Sequence, residues 1–259
     1  MTKENISDMH YFKNGLSLKT ASKMLGIPAS TMRYWDKEGL VTFERNQQND
    51  YRHVSPNTLL DLIDVLDYRE MEIPLGKIKQ IPQMAADELL ALLDENRAEL
   101  QAKIKNLQKT LAKIDLKEQA LKRLNILEKR KPTLVYRQMP PIYKVDLRNT
   151  EDVKKSLVPF QSASLFRADN KYDWKAGIWT KNSNGEVIRP ADKQPMPYLN
   201  GLMYVGRETN DGNADKLIYL AKKLGYRSQY VIYQYLGTIR HPNLGLCDFH
   251  EYWMEITRE

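Results

Sequence analysis

An α+β protein built in three parts is predicted by three observations along its 259 residues. Residues 18–40 hold two short amphipathic stretches joined by a turn that contains a glycine. From Ala85 to Lys129 glycine and proline are absent, and Leu, Lys, Glu and Ala dominate. Beyond Pro132 the pattern turns to short alternating segments rich in Tyr, Val and Ile, interrupted by two helical stretches.

In the first part, Leu18, Ala21, Met24 and Leu25 recur at helical spacing, and the stretch stops at Gly26. A glycine readily takes the left-handed conformation that ends a helix. Ser30 or Thr31 is expected to cap the next helix. Two helices across such a turn form a helix-turn-helix, whose second helix can enter a major groove. That helix presents Thr31, Arg33 and Tyr34, a hydroxyl, a guanidinium and a phenol suited to phosphate and base-edge contact. Tyr34 and Trp35 are adjacent, so one faces out and the other in. Tyr34 is assigned to the outside and Trp35 to the core.

Three segments in register add a family resemblance. Met32-Arg33-Tyr34-Trp35-Asp36-Lys37-Glu38-Gly39-Leu40 is followed by Asp50-Tyr51-Arg52-His53-Val54-Ser55-Pro56 and by the helical run Leu62 to Leu75. Together they resemble the recognition helix, wing and following helix of the MerR family of transcription regulators. The resemblance implies a winged helix-turn-helix over 16–82, behind a short extension over 1–15. Its expected DNA-facing residues are Lys19, Ser30, Thr31, Arg33, Tyr34, Tyr51, Arg52 and Tyr68. Tyr51 has wing packing as its alternative role, and Tyr68 the joint between helix and wing. The chain departs from the family pattern at Trp35, Asp50, Val54 and Glu72, where Asp50 and Glu72 stand in for usual glycines.

The formal charge of +7 does not single out this segment, because basic and acidic residues balance at nine each over 16–82. Asp61, Asp64, Asp67 and Glu70 form an acidic helix face expected to point away from phosphate, while Lys19, Lys23, Arg33, Arg45 and Arg52 can gather opposite. Pattern rather than net charge carries the DNA reading.

Residues 83–131 read as a coiled-coil dimerisation helix. Leu93, Leu100, Ile104, Leu107, Leu111, Ile114 and Leu121 fall at spacings of seven, four, three, four, three and seven. Acids concentrate in 87–99 and bases in 100–131, so an antiparallel homodimer sets opposite charges side by side. The alternative is a long surface helix folded on its own chain.

Residues 132–259 are expected to form an α+β effector-binding domain of two strand-helix-strand-strand units. Strands are read at 134–137, 143–147, 201–206, 230–236 and 249–256, with helices at 152–158 and 215–224. This arrangement resembles the GyrI-like effector-binding domain found behind some MerR DNA-binding domains. The part holds 17 of the chain's 24 aromatic residues. Alternation along the last strand places Phe249, Glu251, Trp253 and Glu255 on one face. A carboxylate between aromatic rings suits a flat cationic ligand. The candidate ligand set is Glu251, Trp253, Phe249, Tyr204, Tyr230, Tyr233, Trp174 and Trp179, against the plainer reading of core aromatics and a surface carboxylate paired with Lys or Arg.

Other chemistries find little in the sequence. The one cysteine, Cys247, cannot supply a thiolate cluster, and an odd offset sends it and His250 to opposite faces of a strand. His10 and His53 read as exposed or wing-packing. Asp169 and Asp173 flank Lys171 in an expected surface loop. No nucleophile elbow, phosphate-binding glycine loop or zinc-protease motif appears, so neither an enzyme, a metal nor a cofactor is expected. The first residues lack a signal-peptide core and no apolar run reaches membrane length, which leads to the expectation of a cytoplasmic protein without a membrane partner.

The resemblance implies a homodimer on a pseudo-palindromic promoter whose spacer is too long for polymerase. A small aromatic or cationic effector would shift the two reading heads and distort the duplex, so RNA polymerase is engaged only through promoter DNA. The rivals are a ligand-independent repressor or architectural DNA binder, and a ligand-sequestering or hydrolytic protein centred on 132–259.

Overall fold

The computed structural model describes residues 15–45, 51–181 and 185–258. Residues 1–14 of the expected extension, His10 among them, and the wing-tip Asp50 lie outside the described residues. The chain forms two compact units, 1–106 and 107–259.

In the first unit, β1 (Leu16–Ser17) leads into α1 (Leu18–Leu25), capped by the Ser17 hydroxyl, which accepts from the Thr20 amide. Gly26, at φ +67°, ends α1. Helix α2 (Ala29–Glu38) follows. Its cap position is Pro28, without a side-chain cap, so the expected capping by Ser30 or Thr31 is corrected. Proline pre-sets a backbone angle compatible with helix entry, and the helix starts two to three residues earlier than the hydroxyls suggested.

Strands β2 (Glu44–Arg45) and β3 (Arg52–Val54) join β1 in a three-stranded sheet of order β1-β3-β2. Helix α3 (Pro56–Glu70) is capped by Ser55 and begins with proline. After it, Glu72 takes φ +63°, and the Ile73 amide bonds back to the Tyr68 carbonyl. This left-handed position is the one where the family pattern has glycine, and a side chain there is strained. Helix α4 (Leu75–Ile78) and a 3-10 turn (Ile81–Gln83) follow. Ala21, Ile27, Met32, Trp35, Val41, Phe43, Val54, Leu62, Val65, Ile73 and Ile78 form one core.

Helix α5 (Ala86–Glu128) is 43 residues long and belongs to both units. Glu88 reaches back to the Ala85 amide at 2.8 Å, half of a capping box. In the first unit Leu93 packs on the core, Asn96 donates to the Met71 carbonyl, and Lys77–Glu95 and Lys103–Glu72 pair. Further along, Leu107 and Leu111 are 63% and 59% exposed, and Ile104, Ile114 and Leu121 are exposed too. The last turns differ from the expected rod. Ala120, Leu124 and Leu127 are buried against Leu236, Cys247 and Phe249 of the chain's own second unit. Two apolar stripes therefore share one helix, and only the first is open.

The second unit is an antiparallel sheet of order β4-β10-β12-β11-β6-β7: β4 (Thr133–Arg137), β6 (Ser164–Arg167), β7 (Asn170–Lys175), β10 (Met196–Gly206), β11 (Tyr226–His241) and β12 (Gly245–Arg258). A small second sheet, β8-β5-β9, holds β5 (Ile142–Lys144), β8 (Gly177–Ile178) and β9 (Val187–Arg189). Helix α6 (Thr150–Ser156) is capped by the Asn149 side chain, and α7 (Ala214–Lys223) ends before Gly225 at φ +80°.

The second strand-helix-strand-strand unit is contiguous as β10-α7-β11-β12. The first is split, with β4 at one edge of the sheet and β6-β7 at the other. The expected loop around Asp169–Asp173 is also corrected. Residues 170–175 form β7, Asp169 pairs with Arg167, and Lys171 with Asp215.

Candidate functional site

On α2, Met32 and Trp35 are buried and Arg33 and Tyr34 lie outside, Tyr34 at 48% exposure against 5% for Trp35. Three-residue spacing puts Met32 and Trp35 on one stripe, which turns their neighbours out. Ser30 is exposed and Thr31 half-buried in the same first turn. Lys19 is exposed on α1, and Tyr51 is 75% exposed just ahead of β3. Arg52 donates from Nε to Asp36 at 2.9 Å, and the Phe43 amide bonds the other Asp36 oxygen at 3.4 Å. Asp36 thereby ties β3 to α2, so Arg52 has a partner that sequence reading missed. Tyr68 is half-buried against the core. The acidic run Asp61, Asp64, Asp67 and Glu70 is exposed on α3.

The eight expected ligand residues do not converge on one site. On the sheet face opposite α7, Trp253 packs with Trp179 and Tyr230, the two indoles edge to face at 6.4 Å between centroids. Phe249 and Tyr204 lie on the same face under the end of α5, with ring centroids 6.2 Å apart. Tyr233 is on the α7 side with Phe166 and His250, because residues 232 and 233 of one strand point to opposite faces. Burial pushes the Tyr233 phenol well above its usual range. Trp174 is an exposed residue of the edge strand β7.

Glu251 sits in the middle of the open-sided face, its side chain 4% exposed. It is not the unpaired counter-charge expected. Arg123 of α5 grips both carboxylate oxygens, with Nε donating at 3.0 Å and Nη2 closing the second bond. Asn200 donates at 2.9 Å and Gln234 at 3.5 Å. Arg130 also donates to Asn200. These pairings run from α5 and the turn after it to residues 70 to 128 positions away, beyond any local pattern. A cavity of about 500 Å³ opens here, lined by Arg123, Arg137, Pro140, Phe160, Trp179, Gln234 and Glu251.

A second cavity of about 460 Å³ carries Arg189, Asp192, Tyr198 and Glu255. Arg189 donates to Glu255 at 2.8 Å, Asp192 at 2.6 Å and the Tyr198 hydroxyl at 2.7 Å, and Tyr198 donates to Asp192 at 2.7 Å. This closed network is structural. Cys247 faces the α5 end and His250 the Tyr233 side, as their odd offset requires. Burial raises the Cys247 thiol and pushes the His250 imidazole down to about 4. Among the described residues, no group of three or more His, Cys, Asp or Glu could hold a metal ion. Likewise, no described helix is long and apolar enough to cross a membrane.

Residues 17–54 match the family model described as MerR family regulatory protein. That family is one of DNA-binding transcription regulators, not of enzymes. No curated protein matches the chain. Among solved structures, the N-terminus of MtaN, the Bacillus subtilis multidrug transporter activator, is 21% identical. The match covers 38% of this chain and 93% of that one at TM-score 0.35. HiNmlR, a MerR family regulator lacking the sensor domain and bound to promoter DNA, is 22% identical over 44% and 94% of the two chains, TM-score 0.36. A cryo-EM EcmrR–DNA complex is 15% identical and covers 93% of this chain and 99% of that one, TM-score 0.35. The family-model match itself is confined to residues 17–54.

Proposed function

We propose that the protein is a homodimeric transcription regulator that reads a pseudo-palindromic promoter through α2 and responds to a small aromatic effector held near Glu251. The observation that carries the reading is the split of α2, with Arg33 and Tyr34 outside and Met32 and Trp35 in the core, inside the segment that matches the MerR model. Pairing of two copies through the seam from Leu100 to Leu121, antiparallel as its charges favour, sets two such helices on one duplex.

The proposed effector cavity and the DNA-reading unit share one continuous helix, α5. Arg123, which closes on Glu251, is on the same helix that carries Leu93 and Asn96 in the first unit. Bending promoter DNA costs on the order of 1–6 kcal/mol, so an effector must favour the distorting state by a comparable differential. RNA polymerase is then engaged through the realigned promoter.

Arg33→Ala tests the reading by gel shift on the chain's own upstream DNA. The expected result is at least tenfold weaker binding with an unchanged dimer mass, and unchanged affinity would refute it. The occupied state of Glu251 favours one second reading, a ligand-independent repressor or architectural protein. A panel of aromatic compounds separates the two, since a ligand bound only by the folded state raises Tm.

A further inference from the structure

The charge of the cavity's ligand follows from which lining groups are already engaged. Glu251 accepts from Arg123, Asn200 and Gln234, and Gln234 in turn accepts from the Trp179 indole at 3.3 Å. Arg137 remains. Its guanidinium carbon lies 4.8 Å from the centroid of the Trp253 ring, and among the described residues it has no hydrogen-bond or ion-pair partner. A cationic ligand needs a ring face and a carboxylate. Arg137 covers the Trp253 ring and Arg123 closes the carboxylate, so a cation drawn to that ring or to Glu251 would have to displace a guanidinium.

We propose that the cavity takes a flat aromatic anion, its carboxylate or sulfonate group bound by Arg137 and its ring against Trp179, Phe160 and Pro140. A guanidinium meets a planar oxyanion with two parallel N–H bonds, stronger than neutral contacts. The charged groups that line the cavity, Arg123, Arg137 and Glu251, sum to +1, in favour of an anion. The inference rests on the reading of this cavity as the effector site.

The test is calorimetric titration of the full chain with three probes of one shape: 2-naphthoate, 2-naphthamide and 2-naphthylmethylammonium. Naphthoate is expected to bind about tenfold or more tighter than either of the others. Arg137→Gln, at an exposed position, should abolish that preference while affinity for the amide stays within about twofold. Tighter binding of the ammonium, equal binding of all three, or undiminished naphthoate affinity in Arg137→Gln each overturn the anion claim and leave the effector cavity standing. Failure of all three to bind at millimolar concentration overturns the cavity reading itself.

Discussion

Removing Arg123 strands a carboxylate. Arg123→Met keeps an unbranched apolar stem but leaves Glu251, 4% exposed, with only Asn200 and Gln234 as donors. Breaking a fully buried pair costs about 3–5 kcal/mol. Arg123 is 34% exposed, which admits water to the pair, and two neutral donors persist, so about 2 kcal/mol is expected here. Glu251→Gln removes the charge, and the double variant strands nothing. The cycle should therefore return a coupling of about 1–2 kcal/mol, with the double variant less damaged than the two singles combined. Urea unfolding followed by tryptophan emission in a Trp35→Phe background reads the relevant unit, because the other three, Trp174, Trp179 and Trp253, all lie in 107–259. Additivity within about 0.5 kcal/mol would show that the pair contributes no specific stability.

Other expectations follow from the same geometry. Glu72→Gly relieves a side chain held at φ +63° and gives up only an exposed pair with Lys103, so the first unit should gain about 0.5–1 kcal/mol in denaturant titration. A loss would mean that the ion pair outweighs the strain. His250 is half-buried beside Tyr233 and Tyr235, with its imidazole pushed down to about 4 by desolvation. The unfolded chain takes up this proton near pH 6.5 and the folded chain does not, so stability is full above that value and falls as pH drops toward 4. The slope is up to about 1.4 kcal/mol per pH unit, and His250→Phe should flatten it in pH-dependent urea midpoints. Leu107→Asp with Leu111→Asp should shift the sedimentation mass from dimer to monomer with retained helical circular dichroism; a persistent dimer would place the interface elsewhere.

The short-range features were legible in the sequence. Gly26 marks a real helix end, the Met32–Trp35 spacing turns Tyr34 outward, and alternation in the last strand sorts Glu251 and Trp253 from Tyr252 and Met254. Each depends on backbone geometry within a few residues. The failures involve distant partners or weak patterns. The cap at Pro28 differs from the hydroxyls that advertised one. Strand β7, Asn-Lys-Tyr-Asp-Trp-Lys, has too much charge to read as a strand and is held by pairing with β6. Nothing local signals that Arg123, spaced like any surface residue of a long helix, closes on Glu251, or that Ala120, Leu124 and Leu127 belong to the second core. Composition alone puts Tyr233 in the candidate set, although its odd offset from Tyr230 sends it to the other face.

The central claim is that two copies of α2 read two halves of one duplex. Hydroxyl-radical footprinting of the full chain, on duplex enriched by it from a random library, tests this most directly. The account predicts an inverted repeat with two protected patches separated by about one helical turn or a multiple of it, both lost in Arg33→Ala. A single patch, or a footprint that survives Arg33→Ala unchanged, would contradict it.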